Sequence, residues 1–137
     1  MSDSPTAFIL DSYALLAYLG GEAGEGRIKE ILHETSIGEK RAFISLMNLG
    51  EVVCIIERER GLAKAQQVLA MAEQLPIELL SVDRPTVLAA AHIKGGYPVT
   101  CADAFAIVAT RELEGTLITG APEFGSVKDI VQIEWIR

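Results

Sequence analysis

A chain of 137 residues, half of them hydrophobic and 23% charged, has the length and composition of one folded domain spanning 1–137. That balance excludes a disordered, collagen-like or disulfide-scaffold protein. A formal net charge of -7 argues against a surface that embraces nucleic acid all round, but not against a nuclease whose carboxylates gather cations, because a bound metal dominates the local field.

The first residues, Met1-Ser2-Asp3-Ser4-Pro5, carry an acid in place of a basic leader, and no long apolar run follows, so no secretory signal is expected. Thr6 to Leu10 reads as a strand stopped by Asp11-Ser12, after which Ala14, Leu15, Ala17, Tyr18 and Leu19 recur at helical spacing up to Gly20-Gly21. The longest stretch free of charge and strong polarity, Tyr13 to Gly21, falls far short of the ~20 residues that cross a bilayer. No membrane partner is expected, and the cytoplasm is the default location. A second helix is expected after Gly26, with Ile28, Ile31 and Leu32 as its apolar stripe.

Arg41 to Ser45 is the second strand, followed by a helix through Leu46, Leu49, Val52, Val53 and Ile56 that closes at Gly61. Leu62, Ala65, Leu69 and Ala72 continue as another amphipathic helix. Its apolar face reads first as core packing and second as a docking surface. Pro76 ends it and Pro76 to Val82 holds a third strand. Asp83-Arg84-Pro85 opens a helix to Gly95-Gly96, and Thr100 opens the next, from Cys101 to about Leu113. Thr116 to Thr119 is a fourth strand, Gly120 to Gly125 a loop dense in turn formers, and Val131 to Ile136 the last strand. Cys54 and Cys101 are far apart and lack any metal-ligand spacing, so both read as free, buried thiols. Strands separated by helices throughout imply right-handed parallel crossovers. The fold class is therefore α/β, a three-layer sandwich around a mostly parallel sheet of about five strands.

In such sheets ligands bind beyond the carboxyl ends of the strands, where strand order reverses. Four acids fall at that rim: Asp11 after the first strand, Glu51 early in the helix after the second, Asp103 in the helix before the fourth, and Glu123 just past the fourth. Each has a plainer role. Thr100 and Asp103 have capping-box spacing, Asp11 can cap the helix that begins at Ser12, and Glu123 can be a solvated loop residue. Glu51 stands out as a lone acid in an apolar helix, which calls for a partner or a metal.

The chain resembles the PIN-domain ribonucleases, and within them the VapC-like toxins of toxin-antitoxin pairs. The resemblance rests on Phe8 to Ala17 (FILDSYALLA), Ile44 to Val53 (ISLMNLGEVV), Ala102 to Ala106 (ADAFA) and Leu117 to Gly120 (LITG), four blocks in order over nearly the whole chain. It implies Asp11, Glu51 and Asp103 as catalytic metal ligands for Mg²⁺ or Mn²⁺, with Ser12, Asn48 and Thr119 as polar neighbours. Two departures stand out. Ala121 replaces the family's fourth acid, for which Glu123 is the candidate substitute, and Tyr13 stands where a serine is common. The implied activity is metal-dependent endonucleolytic cleavage of RNA, leaving a 5′-phosphate and a 3′-hydroxyl. The implied partners are an RNA substrate, a cognate antitoxin and a second copy of the chain in a homodimer.

His33 and His92 carry no partner signature, and no Ser-His-Asp or Cys-His constellation competes. A receiver-type phosphoacceptor wants paired acids after the first strand and a lysine after the last, for which the final strand, ending at Arg137, leaves no room. A dehalogenase-type phosphatase wants an Asp where Tyr13 stands. The remaining alternative is a PIN fold with reduced or lost cleavage that serves as an RNA- or antitoxin-binding module, and Ala121 is its support.

Overall fold

The computed structural model describes residues 6–136, so the readings made on Met1–Pro5 and on Arg137 lie outside the described residues. Its strands are β1 (Thr6–Leu10), β2 (Lys40–Ser45), β3 (Glu78–Leu80), β4 (Thr116–Thr119) and β5 (Gln132–Trp135). Every pairing is parallel, and the sheet order is β3-β2-β1-β4-β5. The helices are α1 (Ser12–Leu19), α2 (Glu25–Ser36), α3 (Leu46–Arg60), α4 (Leu62–Gln74), α5 (Arg84–Gly96) and α6 (Cys101–Glu112). All five expected strands and all six expected helices are present, in the expected three-layer arrangement. Among the described residues no helix is long and apolar enough to cross a membrane.

The strands are apolar on both faces because helices cover both. Alternate residues of β1, β2 and β4 go to opposite sides. Ile9, Phe43 and Leu117 pack with α5 and α6, whereas Phe8, Leu10, Ala42 and Ile118 pack with α1 and α2. The α4 face carrying Ala65, Val68 and Ala72 closes on Leu15, Ile44, Leu49 and Val52, so that stripe is core packing, with Leu62 and Met71 left outside it. α6 is the central helix. Every residue from Ala102 to Thr110 is buried, consistent with its run of Ala, Phe, Ile and Val.

Both edges of the sheet are short and charged. On β3, Glu78 pairs with Arg41 at 2.8 Å. At the other edge Arg27 of α2 reaches Glu134 of β5 through two contacts, of 2.6 and 3.1 Å, and lies over the Phe8 ring.

Three readings are corrected. α2 begins at Glu25, two residues earlier than its spacing suggested, because Gly24 turns the chain at φ 98°; a Cβ there would come within 2.9 Å of Ile136. The segment read as a loop contains a 3-10 helix, Pro122–Val127, anchored by the buried Phe124 and Val127. Cys54 and Cys101 are free thiols but exposed, since one lies on the outer side of α3 and the other begins α6 at the surface.

Gly115 enters β4 pressed against β1. An added Cβ would lie 2.5 Å from Ile9 Cδ1 and 2.6 Å from the Ala7 carbonyl oxygen, which the sheet cannot release. Gly115→Ala is expected to cost about 1–3 kcal/mol, the usual range for overpacking. In urea titrations its midpoint should fall at unchanged slope, while Gly125→Ala, where a Cβ meets nothing within 4 Å, should leave the midpoint in place.

Candidate active site

Strand order reverses between β1 and β4, since β1 continues to β2 on one side and meets β4 on the other. Asp11 leaves β1 at that point. Its backbone is extended, φ -91° and ψ -175°, so it becomes the N-cap of α1, and its Oδ1 accepts the Ala14 N–H at 2.8 Å. Across the gap the Thr119 hydroxyl, at the end of β4, donates to Asp11 Oδ2. Thr119 Oγ1 in turn accepts the Ala121 N–H at 3.0 Å. Asp11 is 2% exposed. Burial pushes its pKa from 3.8 to about 7; the bonds from Thr119 and Ala14 oppose that, and the charges of Asp103 and Glu123 add to it.

Asp103 occupies the third position of α6. The capping box expected from the sequence forms, with Thr100 N–H donating to Asp103 Oδ2 at 3.0 Å and Asp103 N–H to Thr100 Oγ1 at 3.1 Å. The same side chain also faces the cluster. Its pKa is raised to about 6, first by burial and then by the Glu123 carboxylate, with the Thr100 bonds opposing both. Glu123 comes from the first turn of the 3-10 helix, half-buried. Asp11, Asp103 and Glu123 therefore act on one another as a group.

Glu51 is placed differently. It sits on α3, half-buried, lining an apolar cleft with Leu46, Met47, Cys54, Arg58 and Cys101. Glu123, not Glu51, is the carboxylate acting most strongly on Asp103. The expectation that Glu51 must find a partner or a metal rested on full burial; half-buried at a cleft, it keeps water.

The polar neighbours form a buried brace. Asn48 Nδ2 donates to Ser12 Oγ at 3.1 Å and to the Ala102 carbonyl at 3.2 Å, and Ser12 Oγ donates to the Asn48 carbonyl at 3.3 Å. Asn48 is 1% exposed, and its Oδ1 has no partner among the described residues. Ser12, Asn48 and Ala102 lie in the first turns of α1, α3 and α6, so three helix N-termini meet beside the acids. Their partial positive charge offsets some of the carboxylate repulsion. The sequence marked Ser12, Asn48 and Thr119, but not the Ala14 and Ala121 N–H groups or the Ala102 carbonyl, because backbone groups carry no residue signature.

Two buried carboxyls whose pKa values are raised and an unpaired amide oxygen make a hard-oxygen donor set of the kind Mg²⁺ and Mn²⁺ take. Among the described residues no three Asp, Glu, His or Cys side chains form a ready-made cage. A cation that keeps several waters does not need one.

A family model described as PIN domain matches residues 8–129. No curated protein sequence matches the chain. Among solved structures the fold is similar to VapBC2 from Rickettsia felis bound to a promoter DNA fragment, with 12% identity and TM-score 0.73 over 96% of this chain and 100% of that one. It is also similar to DNA-bound VapBC from Salmonella typhimurium, with 19% identity and TM-score 0.74 over 94% of this chain and 97% of that one. A third is VapC20 of Mycobacterium tuberculosis, a toxin that cleaves the sarcin-ricin loop, with 15% identity and TM-score 0.70 over 88% and 94%. At these identities the likeness is one of fold.

The buried acids make stability depend on pH. Unfolded, an Asp carboxyl ionises near pH 4, whereas in the folded chain Asp11 keeps its proton up to about pH 7. Between those values the folded state binds more protons, so stability falls as pH rises. Asp11→Asn removes that contribution and keeps a capping side chain. Between pH 4.5 and 7.5 the wild type should lose on the order of 2 kcal/mol more than Asp11→Asn, as read from urea titrations at each pH.

Proposed function

The chain belongs to the PIN domain family, and from that membership we propose that it is a metal-dependent endoribonuclease, the toxin of a type II toxin-antitoxin pair. The observation that carries this reading is the group Asp11, Asp103 and Glu123 at the reversal point of a parallel sheet, with Asp11 and Asp103 raised to about 7 and 6. Asp11 and Asp103 would hold Mg²⁺ or Mn²⁺, with Glu123 and Glu51 as the further carboxylates.

Bound there, a divalent cation supplies an activated water and charge relief at the phosphorus and the leaving oxygen. The chain's own residues supply position. Thr119 and the Ala14 N–H fix both Asp11 oxygens; the Thr100 N–H fixes one Asp103 oxygen; and the Asn48 brace sets the spacing of α1, α3 and α6. Because Asp11 holds a proton to about pH 7, it would have to give up that proton to serve as a ligand, and affinity for a cation would rise with pH. The products would carry a 5′-phosphate and a 3′-hydroxyl. The antitoxin partner is supported by the VapBC neighbours from Rickettsia felis and Salmonella typhimurium. A homodimer and a cytoplasmic location belong to the same reading.

A second reading, an RNA- or antitoxin-binding module without cleavage, is supported by Ala121, where the family carries an acid. Against it stands Glu123, two residues on, whose carboxylate reaches the position that Asp103 faces.

A mixed RNA pool incubated with Mn²⁺ or Mg²⁺ separates the two. The wild type is expected to cut, to stop with chelator, and to lose with Asp11→Asn more than the roughly 10–100-fold that removal of an outer support costs a metal site. Cleavage by Ala121→Asp alone would establish the binding module instead. Independently of cleavage, Mn²⁺ should raise the wild-type melting temperature more at pH 8 than at pH 6 and leave Asp11→Asn nearly unmoved.

A further inference from the structure

One aromatic side chain beside the acids has no part in the carboxylate chemistry. Tyr13 stands two residues after Asp11, 39% exposed, and its hydroxyl makes no hydrogen bond among the described residues. Its ring lies directly on the main chain at Gly120. A Cβ at that position would fall 2.3 Å from Tyr13 Cε1, 2.5 Å from Cζ and 2.5 Å from the Ile136 carbonyl oxygen. Gly120 follows Thr119, whose hydroxyl holds Asp11, so the ring is seated one residue from the bond that anchors the site. The backbone beneath limits its motion, while the exposed part borders a cleft of about 290 Å³ that also carries Arg60 and Lys64 from α3 and α4. Glu22 and Glu59 line the same cleft, so its charges balance and net attraction is not what it offers.

A preorganised ring with a free surface, next to a phosphodiester-cleaving centre and two cations, suits a nucleobase and its flanking phosphates. We propose that Tyr13 is a stacking platform for one unpaired base of single-stranded RNA, seating that nucleotide beside the acids while Arg60 and Lys64 meet its phosphates. This rests on the ribonuclease reading above. A base inside a duplex presents no free face, so the platform selects unpaired over paired RNA. It is sequence-tolerant, because every base has a π-face.

The test is fluorescence anisotropy with a fluorescein-labelled single-stranded RNA of mixed sequence, in Ca²⁺ and again with chelator, so that binding is read without turnover. Tyr13→Leu should raise Kd by roughly 5- to 150-fold, the span of base-aromatic stacking, and Tyr13→Phe should stay within about twofold. On the wild-type protein, an RNA with one abasic position should lose as much at a single register, and the two losses should not add. The matching duplex should bind more weakly than the single strand. Unchanged binding by Tyr13→Leu, equal weakening by Tyr13→Phe, full additivity with the abasic RNA, or no binding by the wild type would each overturn the platform. Tyr13-dependent binding without cleavage overturns only the nuclease reading; cleavage without Tyr13-dependent binding overturns only the platform.

Discussion

The structure turns on one buried carboxylate that, among the described residues, has no basic side chain in a salt bridge with it. Asp11 sits at 2% exposure at the reversal point of the sheet, held by a hydroxyl and a backbone N–H, and the groups that add to its field are two more acids. Burying a charge in this way costs several kcal/mol unless it is compensated. The fold compensates only in part, through the first turns of α1, α3 and α6 brought together by Asn48. What remains is met by a proton near neutral pH, which is why Asp11 titrates at about 7.

The same residues also build the frame. Asp11 caps α1 and Asp103 completes the box that starts α6, so the backbone of each helix orients the acid that its sequence needs for capping. Glu123 reaches the group by a different route. The chain carries Ala121 immediately after Gly120, and the short 3-10 helix pinned by Phe124 and Val127 brings an acid two residues further along into contact with Asp103.

Much of this was legible from residue order. Apolar runs of strand length alternating with helical stripes marked every strand and every α-helix, and Thr100-x-x-Asp103 announced the capping box. The membership of Asp11 and Asp103 in one cluster followed from strand ends in a parallel sheet. Illegible were features decided by distant neighbours. Gly24 starts α2 early because Ile136, at the far end of the chain, leaves no room for a side chain. Phe124 sits among turn formers, and only the packed structure shows it fully buried. Glu51 looks stranded in an apolar helix, yet half-burial at a cleft leaves it wet, a matter of helix rotation that periodicity alone does not fix.

Asp11 and its partner Thr119 lie 108 positions apart in the chain. On a ribosome Asp11 emerges 108 residues before the hydroxyl that holds it. A nascent chain can therefore assemble β1, β2 and the helices between them while its carboxylate cluster is still incomplete. The carboxylate cluster is therefore completed only after β4 has been made and has paired with β1, so closure of the sheet and assembly of the cluster are one late event in folding.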